Sequence, residues 1–216
     1  MGSFWVFGYG SLMWRPGFAY RRREPALLYG YHRALCIYSL HHRGTEAFPG
    51  LVMGLDHGGS CRGVAFQVAA RDAEAVRDYL YEREQKSGVY LEVEKRVHLK
   101  GAACPVAALC YVVDRRHRQY AGVLPRESQV ARILRAVGPS GRNVDYVLNT
   151  ADILEQEMGI VDGPLHKVAG EVRARLADGV LPPVEPVVLP PLGQRSGPSH
   201  PIHEGEPIKR ISSDRS

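Results

Sequence analysis

The chain has 216 residues, of which 44% are hydrophobic and 24% charged, a composition typical of a folded globular protein with a buried core. A net charge of +5 would point to a nucleic-acid partner if basic residues gathered on one element, but they are scattered, with the densest runs at 21–23 and 115–118 in turn-like sequence. We therefore expect no nucleic-acid partner, and the charge would suit a small anionic substrate.

Neither a membrane segment nor a secretion signal is apparent in the sequence. No apolar run reaches the roughly 20 residues that a membrane-spanning helix needs. The N-terminus lacks a basic stretch followed by an apolar stretch and a small-residue cleavage site. We expect a cytoplasmic protein with no membrane partner, present as a monomer or weak dimer.

Cysteine and histidine spacing gives no sign of a disulfide framework or a metal site. The cysteines form no CxxC pair, which in a cytosolic chain is typical of reduced thiols: Cys36, Cys61, Cys104 and Cys110. The residues that could be considered as zinc ligands also lack a repeated paired spacing: His41, His42, His57 and Cys61. We expect no metal and no cofactor.

The first half of the chain predicts several strands, each rich in β-branched and aromatic residues and bounded by turn signals. The predicted strands are a short one that ends at Val6 and Phe7, and then 33–40, 50–55 and 62–68. A glycine-containing turn over 56–60 separates the last two, and we interpret the last three strands as a meander.

Helical spacing begins after the meander, over residues 71–84, with Asp72 as the N-cap and an end near Gly88. Two further strands, 89–99 and 106–114, are expected to pair with each other. Amphipathic patterns then predict three more helices, over 126–137, 143–159 and 162–179.

The order of these elements predicts an α+β domain over residues 1–180, because strands and helices do not alternate as in βαβ winding. Five or six strands with short links could close into a small barrel. From residue 181 to 216 the composition shifts to proline, glycine, serine and charge, which predicts a disordered tail.

The string FGYGSLMW, residues 7–14, interrupts the first strand with two glycines. Such a break exposes several backbone N–H groups and lets another molecule approach the main chain, so it is suited to bind an anion. It is neither a phosphate loop nor a GxGxxG motif, and Ser11 lacks the GxSxG context of a nucleophile. On spacing alone, a strand-to-loop turn with no ligand remains the alternative.

The complete string closely resembles the first-strand loop of the ChaC-type γ-glutamylcyclotransferases. Further stretches match that family in the same order over about residues 4–178: GYHRALC (30–36), RGTEAFPGLVMGL (43–55), GVAFQV (63–68), YLYEREQKSGVYL (79–91), DRRHRQYAG (114–122) and GPSGRNVDYVLNT (138–150). The resemblance implies a small closed mixed β-barrel flanked by helices. It also implies a lyase that converts glutathione to 5-oxoproline and cysteinylglycine.

The resemblance further implies a set of site residues. The family's proton carrier matches Glu84, whereas Glu82, two residues away, points to a different helix face. The residues expected to bind substrate are Val6, Phe7, Gly8, Tyr9, Gly10, Ser11, Leu12, Arg43 and Tyr90.

Each of these roles has a structural alternative. A helix-end carboxylate such as Glu84 is commonly solvated and paired with a cation. A tyrosine such as Tyr9 or Tyr90 often has a ring packed in the core and a hydroxyl exposed to solvent. Arg43 could meet the glycyl carboxylate of glutathione or could pair with Glu46. In the stretch 138–150, Asn143 fits an N-cap and Tyr146 fits helix packing.

The chemistry explains why a carboxylate is needed. The α-amine of the γ-glutamyl group is an ammonium at neutral pH, so it cannot attack its own δ-carbonyl until a base removes a proton. Glu84 would accept that proton and later return it to the departing nitrogen. Burial would raise the pKa of Glu84, and a bound ammonium would lower it. Backbone N–H groups of residues 8–12 would bind the α-carboxylate and the oxyanion.

Other readings remain open at the level of sequence. The enzyme could cyclise other γ-glutamyl amines or γ-glutamyl amino acids, or the chain could be a non-catalytic γ-glutamyl-binding protein on the same fold. In many relatives the residue before the HRG string is acidic, whereas this chain has His41 there. That difference bears on the part of the substrate beyond the γ-glutamyl group.

Overall fold

Five β-strands close into a barrel in the computed structural model of the protein, which describes residues 2–85 and 87–179 together with 183, 184, 187 and 189. The strands are β1 (Phe4–Gly8), β2 (Arg22–Ser39), β3 (Gly50–Val68), β4 (Tyr90–Leu99) and β5 (Val106–Val113). Their order round the barrel is β1-β3-β2-β4-β5, and β5 closes it by pairing in parallel with β1 while the other pairs are antiparallel. The predicted mixed barrel and the pairing of the two later strands are thus confirmed.

Four α-helices accompany the barrel in the described part of the chain: α1 (Ala73–Leu80), α2 (Arg126–Arg135), α3 (Asn143–Gln156) and α4 (Gly163–Asp178). A two-stranded hairpin of β6 (Val137–Gly138) and β7 (Gly141–Arg142) joins α2 to α3. α2, α3 and α4 pack on one another, and α2 and α3 also contact β3. No helix of the described residues is both long enough and apolar enough to cross a membrane.

The predicted meander is wrong, because residues 50–68 form one continuous strand whose two partners are β2 and β1. β2 is also longer than expected, beginning at Arg22 rather than at residue 33. The predicted turn is a bulge within this long hairpin, where Gly30 of β2 faces Gly58 and Gly59 of β3. All three glycines have positive φ, at 81°, 102° and 68°, so they supply the bend that two long paired strands need to follow a barrel.

β1 is buried on both faces, which explains its continuous apolar sequence. Phe7 points into a cluster that contains residues from all five strands and therefore fills the barrel, whereas Val6 packs against Leu80 of α1. Only glycine fits at position 63, across from the end of β1, because a Cβ there would lie 2.3 Å from the carbonyl oxygen of Gly8. This packing fixes the point at which the chain leaves the barrel to form the loop of residues 8–12, which we call the glycine loop.

The last turn of the predicted helix 71–84 is not α-helical. α1 ends at Leu80 and continues as a π-helical turn over Tyr81–Gln85. Asp72 does occupy the N-cap position, but its side chain makes no capping hydrogen bond. The predicted disordered tail, residues 181–216, lies outside the described residues apart from the four named above.

Candidate active site

The glycine loop after β1 turns into one short 3₁₀ turn, Ser11–Met13, closed by a hydrogen bond from the N–H of Met13 to the carbonyl oxygen of Gly10 (2.9 Å). The N–H groups of Gly10, Ser11 and Leu12 donate to no other described residue. A Cβ built on Gly10 would meet nothing within 4 Å, so the backbone is open on that side. The loop therefore offers unused donors at the surface of a cavity, as an anion-binding turn requires.

Arg33 holds this loop from behind. Its Nε donates to the carbonyl oxygen of Tyr9 (2.5 Å), its Nη2 to that of Arg62 (2.7 Å), and its Nη1 pairs with the carboxylate of Asp162 (2.8 Å). The Arg33 side chain is 1% exposed, so the charge is compensated entirely by these partners. Asp162 is also the N-cap of α4, and Arg33 therefore connects the loop, the barrel and that helix.

Glu84 lies in the π-helical turn, with its side chain 16% exposed and its Oε1 3.1 Å from Nε of Arg83. Arg83 also donates to Ser11 Oγ (2.9 Å), to the carbonyl oxygen of Arg15 (2.6 Å) and to the Tyr79 hydroxyl (2.7 Å). The turn that carries the acid is thus attached to the glycine loop. π-Helical turns are frequent at functional sites because the wider turn re-aims side chains.

Burial raises the pKa of Glu84, and the charge of the adjacent Arg83 guanidinium opposes part of that rise. The direction agrees with the expectation from sequence. Glu82, the neighbouring candidate, is exposed and is not part of the cavity wall. Of the two carboxylates, only Glu84 is placed where burial can tune its acidity for proton transfer.

The loop and Glu84 face one cavity. Its walls are formed by Tyr9, Gly10, Ser11, Leu12, Met53, Glu84, Tyr90, Tyr111 and Tyr146. The structure therefore brings together six of the residues expected from sequence: Tyr9, Gly10, Ser11, Leu12, Glu84 and Tyr90. A groove shares Ser11, Glu84 and Tyr90 with the cavity and extends to His41, His42 and Gln119.

Four expected substrate residues do not line the cavity. Val6 and Phe7 are fully buried core side chains, and Gly8 ends the strand beneath the loop. Arg43 contacts a wall residue instead, with its guanidinium carbon 5.6 Å from the ring centre of Tyr146. It does not pair with Glu46, which pairs with Arg118 at 2.8 Å. Substrate binding by these four residues stays a prediction.

Sequence reasoning missed three wall residues: Met53, Tyr111 and Tyr146. The sequence predicts Tyr111 only as an interior residue of a strand, and no motif marks Met53 as a site residue. Tyr146 lay in a recognised stretch but was interpreted as helix packing. Asn143, interpreted there as an N-cap, is instead the first residue of α3, and its side chain binds both backbone groups of Leu51 at 2.7 Å.

The cavity contains four phenols that remain protonated at neutral pH. Burial is the largest cause that raises the pKa of each hydroxyl above its usual value near 10, in the case of Tyr146 to about 12. Neutral phenols beside one buried carboxylate and a row of backbone N–H groups can bind a zwitterion by hydrogen bonds. Such a site can move a proton through Glu84 and can stabilise a developing negative charge.

Comparison with known proteins gives consistent matches. Residues 4–175 match the family model described as ChaC-like protein. The human protein named glutathione-specific gamma-glutamylcyclotransferase 1 is 37% identical over 156 residues, which cover 71% of this chain and 70% of that protein. The Escherichia coli glutathione-specific gamma-glutamylcyclotransferase is 34% identical over 189 residues, covering 84% and 80%. A crystal structure of a yeast γ-glutamyl cyclotransferase specific to glutathione superposes with a TM-score of 0.72 at 25% identity, covering 81% of this chain and 97% of that one.

Proposed function

The chain belongs to the ChaC-like protein family, and on that premise we propose that it is a lyase that cyclises the γ-glutamyl group of glutathione, releasing 5-oxoproline and L-cysteinylglycine. The observation that carries the proposal is the buried carboxylate of Glu84 in one cavity with the unused N–H groups of residues 10–12. A γ-glutamyl group has a cation and an anion on the same carbon. The cavity offers a complementary group for each of them.

In the proposed complex the α-carboxylate accepts hydrogen bonds from the glycine loop and the α-ammonium faces Glu84. The cysteinylglycine part extends into the groove that shares Ser11, Glu84 and Tyr90 with the cavity. This placement folds the γ-glutamyl arm so that the amine meets its own δ-carbonyl. Because the two reacting groups belong to one molecule held in one conformation, ring closure benefits from proximity without a covalent enzyme intermediate.

Proton transfer by Glu84 completes the reaction. The carboxylate takes a proton from the ammonium, and the freed nitrogen forms a bond to the δ-carbon while the carbonyl π electrons move to oxygen. When that electron pair returns, the bond to the cysteinyl nitrogen breaks, and Glu84 returns the first proton to the departing nitrogen. The new ring nitrogen then gives up its second proton to Glu84, which passes it to the released cysteinyl amine. A base whose pKa is raised by burial is a stronger proton acceptor than an exposed glutamate, provided that it is ionised at the working pH.

We propose a cytoplasmic location for this reaction and a monomeric or weakly dimeric protein. All four cysteines are free thiols, and three of them, Cys36, Cys61 and Cys110, are buried. Free thiols of this kind are usual in a reducing compartment.

A substrate panel tests the proposed function. Purified protein is incubated separately with glutathione, γ-glutamylalanine and γ-glutamyllysine, and 5-oxoproline is followed by chromatography. We expect 5-oxoproline and cysteinylglycine in equal amounts from glutathione. Turnover of only the other two compounds would reassign the substrate. Calorimetric binding of glutathione without any product would instead identify a non-catalytic binding protein.

A further inference from the structure

Tyr146 lies in the first turn of α3, where two side chains attach the helix to β3. Asn143 binds the N–H and the carbonyl oxygen of Leu51, and the hydroxyl oxygen of Tyr146 accepts from the N–H of Met53 at 3.1 Å. Leu51 and Met53 are alternate residues of one strand, so the two attachments lie side by side. The phenol is therefore held at a defined place in the cavity wall.

The hydroxyl of Tyr146 differs from the other three phenols of the cavity. Tyr90 donates to the Met53 carbonyl oxygen (2.9 Å) and Tyr111 to the Glu92 carboxylate (2.9 Å), and the Tyr9 hydroxyl interacts with that of Tyr90. The Tyr146 oxygen instead accepts a backbone N–H, and no acceptor within the described residues takes its proton. Tyr146 is thus the phenol with a donor left for a ligand.

The geometry of ring closure calls for a donor that the glycine loop does not supply. In the forming five-membered ring the nitrogen lies between the α-carbon and the δ-carbon, so the α-carboxylate and the carbonyl oxygen diverge on two sides of it. Donors from residues 10–12 that bind the carboxylate are therefore turned away from the carbonyl oxygen. A second donor has to come from another element of the wall.

We propose that Tyr146 is a catalytic residue that donates a hydrogen bond to the attacked carbonyl oxygen. The inference rests on the proposed function and adds a residue to the same site. As the nitrogen bonds to the δ-carbon, the π electron pair moves to oxygen, and the phenol stabilises that charge. The pair returns when the bond to the cysteinyl nitrogen breaks. Tyr146 keeps its proton throughout, and Glu84 performs the proton transfers.

Arg43 strengthens this donor as a positioning residue. Its guanidinium carbon lies 5.6 Å from the ring centre of Tyr146. The positive charge and the N–H of Met53 both lower the pKa of Tyr146, although burial keeps it at about 12. The phenol is consequently protonated at neutral pH but more acidic than burial alone would make it, which makes it a better donor.

The first test compares Tyr146→Phe with the wild-type protein. We expect kcat to fall about 10²- to 10³-fold with KM nearly unchanged, because the lost hydrogen bond forms mainly in the transition state. Tyr20→Phe is the matched control, since Tyr20 is exposed, packs on Phe66 and lines neither the cavity nor the groove. A kcat for Tyr146→Phe within about threefold of wild type, or a rise in KM alone, contradicts the proposal.

A second measurement distinguishes hydrogen-bond donation by Tyr146 to the substrate from a purely structural contact of Tyr146 with β3. Phenylalanine also removes the acceptor for the N–H of Met53, whereas 3-fluorotyrosine at position 146 retains it and makes the phenol more acidic. We expect the fluorinated protein to have a kcat equal to or above that of wild type. A loss comparable to that of Tyr146→Phe would show that the residue acts only through packing and would overturn the proposal.

A double-mutant cycle tests the role of Arg43. Arg43→Gln should lower kcat about three- to tenfold in the wild-type background and cause no further loss in Tyr146→Phe. If Arg43 binds the substrate instead, Arg43→Gln raises KM equally in both backgrounds, which contradicts the coupling. The substrate panel separates failure of the proposed function from failure of this inference. If the wild-type protein cyclises no γ-glutamyl compound, both are refuted. If the wild-type protein is active and Tyr146→Phe is equally active, only the role of Tyr146 is refuted.

Discussion

The two walls of the cavity are held in place by different forces. The wall formed by the glycine loop and the π-helical turn is held by charged groups, since Arg33 and Arg83 both donate to backbone carbonyl oxygens of the segment 9–16. The wall formed by Tyr90 and Tyr146 is held by neutral bonds to the backbone of Met53. Substitution of charge and change of pH should therefore act mainly on the first wall, and removal of single hydroxyls mainly on the second.

Removal of the charge on Glu84 should have the largest effect on the first wall. We expect Glu84→Gln to lower kcat by about 10³-fold while the affinity for glutathione changes little, because an amide cannot accept the ammonium proton. Single-turnover measurement of 5-oxoproline release checks this. Glu74→Gln is the matched control and should retain full activity, since Glu74 is exposed and lines neither the cavity nor the groove. Comparable losses in both variants would contradict the role of Glu84 as the specific base.

The same variant has an expected effect on stability. Burial raises the pKa of Glu84 in the folded state, so its ionised form is disfavoured by folding at any pH above the ordinary glutamate value of about 4.3. Glu84→Gln should therefore unfold at an equal or slightly higher temperature at pH 7. The difference should vanish as the pH falls below that value. Thermal unfolding at both pH values measures it.

Loss of the guanidinium behind the loop should have the next largest effect. Arg33→Met leaves the carboxylate of Asp162 and two carbonyl oxygens without their buried partner, and we expect the free energy of unfolding to fall by about 3 kcal/mol. Arg22→Met is the control, because the pair of Arg22 with Glu24 is largely exposed and its loss should cost less than about 1 kcal/mol. Urea unfolding of both variants decides whether the charged wall depends on this residue.

Substitution of Arg83 should have the smallest effect and should appear in the pH profile. Its charge lowers the pKa of Glu84, so Arg83→Gln should raise that pKa further and move the acidic limb of kcat/KM to higher pH. Arg83→Lys retains the charge but loses most of the hydrogen bonds to the loop, and its limb should stay nearer to that of wild type. If the acidic limb lies at the same pH in all three proteins, the charge of Arg83 does not affect the pKa of Glu84.

The glycine loop, Glu84 and Tyr90 were expected from the family resemblance of the sequence, whereas Arg33, Tyr111 and Tyr146 were not. The glycine loop is one contiguous string, and Glu84 follows a helical pattern that ends at a recognisable stretch. Tyr90, Tyr111 and Tyr146 come from β4, β5 and α3, and their meeting depends on how those elements dock. Local spacing describes what a residue can form with its chain neighbours, but not which distant backbone group it will meet.

The fold divides in the same way. The sequence by itself determined the four helical segments, the greater part of the strands and the break after β1, because these follow from the local alternation of apolar, polar and glycine residues. Only the tertiary structure decided that residues 50–68 form one strand with a bulge, that β5 closes the barrel on β1, that the helix before Glu84 ends in a π-helical turn and that Tyr146 reaches Met53. These features arise from long-range pairing and packing, whose free energy depends on partners far away in the chain.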